Sequence, residues 1–91
     1  MNTSRKKNIA IFASGAGTNA ANIIQYFQQQ QTANVVLIVC NNPTAGVLKI
    51  AEQNNISTLI IEREKFFRSD AYVPELKKAS ADFIVLAGFL W

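Results

Sequence analysis

Four short apolar runs, each unbroken, limit what this chain can become. They are Asn8–Ser14 (NIAIFAS), Asn34–Cys40 (NVVLIVC), Ser57–Glu62 (STLIIE) and Asp82–Phe89 (DFIVLAGF). A strand with one wet face alternates apolar and polar residues. An unbroken run predicts a strand covered on both faces, as in a parallel sheet. The segments between the runs repeat with helical period. Over Asn19–Gln30, Ala20, Ile23, Ile24 and Phe27 share one face, and the other is Asn and Gln. Over Ala45–Asn54, Val47, Leu48 and Ala51 do the same. Between Ser69 and Ala79 the pattern is weaker. Ser69 could cap a helix there, but Pro74 would then stand inside it and remove a hydrogen bond. The helix therefore either kinks at Pro74 or starts with it, and Tyr72 and Leu76 face the sheet in both cases.

The order β-α-β-α-β-α-β predicts an α/β fold: a doubly wound, Rossmann-like parallel sheet with right-handed crossovers and helices on both faces. The sequence stops at Trp91, directly after the fourth run. That would leave a sheet edge unpaired and a face uncovered, so the expectation is the first half of a larger protein, truncated after its fourth strand.

Composition narrows the function. Of the nine Lys and Arg residues, Arg5, Lys6 and Lys7 stand together, and the other six balance the six acids. No basic face remains for nucleic acid, and residues 1–6 are expected to be a flexible, solvated flank. The chain has no histidine and one cysteine, Cys40. This argues against a disulfide framework, a metal site or an activated thiol, and predicts Cys40 as a small buried residue. The apolar stretches are about eight residues long, too short to span a bilayer. The N-terminus lacks an apolar signal segment, so the expected location is cytoplasmic.

The first strand runs into Ser14-Gly15-Ala16-Gly17-Thr18-Asn19-Ala20 and then a helix. This is the setting of a G-x-G-x-x-G/A loop, whose glycines let a backbone approach an anion at a helix N-terminus. A dinucleotide site also needs an acid at the end of the second strand, to hold ribose hydroxyls. That place reads Cys40-Asn41-Asn42-Pro43, and no acid precedes Glu52. A phosphate, a dinucleotide and a purely structural turn stay open on the motif alone. Thr18 and Asn19 could bond a phosphate, or either could simply be the N-cap. Gly17→Val is expected to abolish phosphate binding while leaving the fold partly intact.

The Ser-Gly-x-Gly-[Ser/Thr]-Asn loop, the CNNPTAG turn opening the second helix, and ADFIVLAGF occur in an order that resembles the N-terminal half of phosphoribosylglycinamide formyltransferases. The likeness covers Lys7 to Trp91, making residues 7–91 the phosphate-binding half of such a domain. It implies transfer of a formyl group from 10-formyltetrahydrofolate to the amine of glycinamide ribonucleotide, in de novo purine biosynthesis. It implies further that Gly17, Thr18 and Asn19 hold the ribonucleotide phosphate, and that Leu90 and Trp91 begin the folate pocket. An arginine of the family that contacts the folate aligns with Ser69, and Arg68 takes the role if the loop shifts by one residue. Where the family often has a second arginine, this chain has Trp91. The family's catalytic Asn, His and Asp lie beyond these residues, so no catalytic residue is expected within them, and the 91 residues alone are expected to be inactive. The alternatives are a formyltetrahydrofolate hydrolase-like enzyme and a non-catalytic nucleotide- or phosphate-binding module. The hydrolase would not need a sugar-phosphate loop of this kind. No metal, nucleic acid or membrane partner is implied, and the oligomeric state is left open.

Overall fold

A computed structural model describes residues 7–62 and 73–89 of the chain. In chain order they form β1 (Lys7–Phe12), α1 (Thr18–Gln30), β2 (Ala33–Cys40), α2 (Val47–Gln53), β3 (Ser57–Ile60), α3 (Val73–Lys78) and β4 (Phe83–Leu86). The strands make one sheet in the order β3-β2-β1-β4. All three pairings are parallel. This is the expected doubly wound architecture: the chain steps outward from β1 to β3, then returns to place β4 on the other side of β1.

Each face of the sheet has its own core. Ile9 and Ile11 of β1 and Ile38 and Cys40 of β2 pack under α1 and α2, against Ala20, Ile24, Val47 and Ala51. Ala10 and Phe12 of β1 and Leu37 and Val39 of β2 face the opposite way, toward Leu76 of α3 and Phe89. The Phe12 and Phe89 rings meet edge to face, with centroids 5.3 Å apart. Two covered faces explain why β1 is unbroken apolar from Ile9 to Phe12 and β2 from Val35 to Cys40. The helical faces are as expected: Ala20 and Ile24 are buried, and Ile23, Phe27 and Leu48 pack against the same core. Gln28 to Gln31 are exposed. Cys40 is fully buried. Its Sγ donates to the Asn42 carbonyl at 3.3 Å and accepts from the Asn42 N–H at 3.4 Å.

Three features sharpen this picture. First, β2 carries one extra residue. Ile9 pairs with Val35 but Ala10 pairs with Leu37, so Val36 is bulged and lies on the α3 side together with Leu37. Second, Pro74 is the second residue of α3, inside its first turn, where a missing N–H costs no helical hydrogen bond. It therefore marks the start of that helix rather than a kink. Tyr72 lies outside the described residues. Third, β4 is the outer strand of the sheet among the described residues, and its apolar run shows the unpaired edge and uncovered face expected where this sequence stops after the fourth run. Phe83 and Ile84 are each 55% exposed and Leu86 is 70% exposed.

Two local features give direct stability tests. At the amino end of the sheet, the Asn8 N–H donates to Asp82 Oδ2 at 2.7 Å, and the Asp82 N–H returns a bond to the Asn8 carbonyl at 2.7 Å. Asn8 Nδ2 also donates to the Ser80 carbonyl at 3.0 Å. Asp82→Ala breaks one bond of this clip between β1 and the entry to β4, and should cost about 1 kcal/mol in urea denaturation. At the end of α1, Gln31 holds a left-handed conformation (φ 56°) while its N–H donates to the Phe27 carbonyl at 2.8 Å. Glycine adopts this conformation without the Cβ penalty, so Gln31→Gly should raise stability by about 0.5–1 kcal/mol, read as a higher denaturation midpoint.

Candidate functional site

The order β3-β2-β1-β4 reverses direction between β1 and β4. The loops leaving the carboxyl ends of these two strands diverge, and such a crevice is where open α/β sheets take ligands. Strand pairing ends together here: the Ala13 N–H donates to the Val39 carbonyl at 2.9 Å, and the Ala87 N–H to the Phe12 carbonyl at 2.9 Å. Beyond these bonds lies a cleft of about 210 Å³, lined by Gly15, Ala16, Gly17, Thr18, Asn19, Ala87 and Gly88. That volume accommodates a compact group such as a phosphate.

The cleft opens on the start of a helix of 13 residues, α1. Its N-cap is Gly17, which has no side chain, no side-chain bond caps the first turn, and that turn holds no acid. The first N–H groups of a helix need partners from outside it, and the helix dipole favours a negative one. Neither Thr18 nor Asn19 is the cap; they are the first two helical residues, and both are exposed. Asn19 Nδ2 lies 3.9 Å from where a Cβ on Gly88 would stand, so the Asn19 amide reaches across the cleft to the β4 side.

The two loop glycines have different reasons to be glycine. Gly17 has φ +89°, and a Cβ there would come within 2.8 Å of the Val47 Cα. The fold itself requires it. A Cβ on Gly15 would meet nothing within 4 Å, so nothing in the described protein demands glycine at that position.

The asparagines after β2 are occupied in holding turns. Asn41 Oδ1 accepts from Ser14 Oγ at 2.8 Å, tying the glycine loop to the end of β2. Asn42 Oδ1 accepts from the Thr44 N–H at 3.0 Å and from Thr44 Oγ1 at 2.9 Å, the geometry of an Asx turn. The position that would carry a ribose-binding acid in a dinucleotide site is thus built into the loop scaffold. Gly17, Thr18 and Asn19 all line the cleft. Arg68, Ser69, Leu90 and Trp91 lie outside the described residues. Sequence reasoning missed Ala87 and Gly88, although a glycine closing the fourth apolar run was a signal for a backbone approach.

A second, larger cavity of about 350 Å³ lies at the opposite end of the sheet, lined by residues that include Ile24, Phe27, Gln28, Asn34, Asn54 and Ile56. It adjoins the carboxyl ends of α1 and α2, whose dipoles disfavour an anion. Despite its size, it is the weaker candidate for a phosphate.

Residues 7–91 match the family described as formyl transferase. The chain is 34% identical over 92 residues to the chloroplastic phosphoribosylglycinamide formyltransferase of Arabidopsis thaliana, covering 94% of this chain and 32% of that one. Its structure superposes on glycinamide ribonucleotide transformylase 1 from Geobacillus kaustophilus with a TM-score of 0.84 at 32% identity, covering 96% of this chain and 49% of that one. On phosphoribosylglycinamide formyltransferase from Bacillus halodurans the TM-score is 0.81 at 36% identity, covering 93% and 46%. The chain thus spans less than half the length of each of these relatives.

Proposed function

The chain belongs to the formyl transferase family, and from that footing we propose that its glycine loop holds the phosphate of glycinamide ribonucleotide. The full protein then transfers the formyl group of 10-formyltetrahydrofolate to the ribonucleotide's amine, a step of purine biosynthesis. The observation that carries the proposal is the placing of an uncapped helix start, Thr18 and Asn19 at the β1–β4 switch of the sheet. In the reaction the amine attacks the formyl carbon and the bond from that carbon to the folate nitrogen breaks. The part assigned to the described residues is binding and orientation. N–H groups of the first turn of α1 donate to phosphate oxygens, Thr18 Oγ1 and Asn19 Nδ2 add side-chain donors, and the anchored phosphate fixes where the distant amine can reach. Arg68, Leu90 and Trp91 are assigned to the folate side, and a cytoplasmic setting is part of the same proposal. Among the described residues no helix is long and apolar enough to cross a membrane.

The hydrolase alternative is not favoured: the three relatives described above, at 32–36% identity, are named as transferases of the ribonucleotide. Calorimetric titration of the full-length protein tests the rest. Saturable binding of glycinamide ribonucleotide is expected. Tight binding of NAD or ATP with no response to the ribonucleotide would favour a nucleotide-binding module and overturn the proposal.

A further inference from the structure

Neither Gly46 nor Val47 lines the cleft, yet the loop that does line it rests on them. The Val47 N–H donates to the Gly15 carbonyl at 3.1 Å. That bond engages a carbonyl oxygen whose partial negative charge would otherwise oppose an anion. A Cβ on Gly17 would lie 2.8 Å from Val47 Cα and 2.9 Å from Val47 Cβ. A Cβ on Gly46 would lie 3.1 Å from the Ala16 carbonyl oxygen and 3.2 Å from Ala16 Cα. Backbones come this close only where one of the two facing positions lacks a side chain, here Gly17 against Val47 and Gly46 against Ala16. Gly46 has φ −63°, ordinary helical backbone, so space rather than conformation requires its glycine. Val47 and Ala51 are fully buried, which ties this end of α2 to the core.

We propose that Gly46 and Val47 are positioning residues: the start of α2 clamps Gly15–Gly17 in the shape that opens the cleft to an anion. What the loop holds rests on the phosphate assignment above, whereas the clamp rests on these distances.

Gly46→Ala is the test. The added methyl obliges Ala16 to give by a few tenths of an ångström. The variant should unfold cooperatively like the parent, show displaced amide resonances at Gly15 to Thr18, and bind ribose 5-phosphate about tenfold more weakly. Tenfold is the weight of about one hydrogen bond lost between loop and phosphate. Parent-like resonances at Gly15 to Thr18 with full affinity would overturn the clamp. Should the variant fail to fold, hydrogen exchange in the parent decides. The Val47 amide and the Ala21 amide, which donates to the Gly17 carbonyl at 2.7 Å, should then show equal protection, because loop and helix open as a unit. A Val47 amide exchanging like an unbonded one beside a protected Ala21 contradicts the clamp. Failure of the parent to bind ribose 5-phosphate would count against the phosphate assignment alone, since the resonance and exchange readouts need no ligand.

Discussion

Gly17→Val should cost about 3 kcal/mol or more of stability and abolish ligand binding together with the loop's shape. Two penalties add. A non-glycine residue in left-handed backbone costs about 1–2 kcal/mol, and a β-branched one tolerates it least. Overpacking against a fixed neighbour costs about 1–3 kcal/mol more. Here the neighbour is the Val47 Cα, 2.8 Å from the new Cβ, and Val47 is fully buried and cannot step aside cheaply. Native proteins are stable by only about 5–15 kcal/mol, so the variant loses a large share of that. Urea denaturation reads the effect as a lower midpoint at unchanged slope. The motif alone suggested that this valine would block ligand approach and leave the fold partly intact; the contact with α2 puts the larger damage in the fold. A stable variant that merely fails to bind would show that Gly17 serves the ligand directly.

Asn19→Ala should do the opposite, separating binding from folding. Asn19 is exposed and is not the N-cap. Alanine is the better helix former, so stability should stay level or rise by up to about 0.5 kcal/mol. Affinity for glycinamide ribonucleotide should fall about 10- to 100-fold, the weight of one hydrogen bond to a charged group, about 1.5–3 kcal/mol. Calorimetry of parent and variant checks this. Parent-like affinity in the variant would remove the Asn19 amide from the site.

The sequence carried the fold's order because β1 and β2 are buried on both faces, and such strands declare themselves as unbroken apolar runs. The run of β4 was legible in the same way, and the exposure of Phe83, Ile84 and Leu86 is the unpaired edge and uncovered face expected where this sequence stops after its fourth run. The bulge at Val36 was invisible: Val35 to Ile38 are all apolar, so a slip from one face to the other leaves no mark. At the site, Gly17, Thr18 and Asn19 were legible from the spacing of the loop. Gly88 was not, because its nearness to Asn19 depends on β4 pairing with β1, across more than 60 residues of chain. Nor can a sequence show the sign of a φ angle. That is why Gly15 and Gly17 looked alike, when one serves open space and the other the packing against α2. The choice between N-cap and ligand for Thr18 and Asn19 likewise needed coordinates, which put Gly17 at the cap.

Amide resonance mapping during titration with glycinamide ribonucleotide decides between the glycine-loop cleft and the larger cavity at the opposite end of the sheet. Shifts concentrated at Gly15 to Asn19 and at Ala87 and Gly88 are the predicted result. Shifts at Gln28, Asn34 and Asn54, around the larger cavity, with a silent glycine loop, would contradict it.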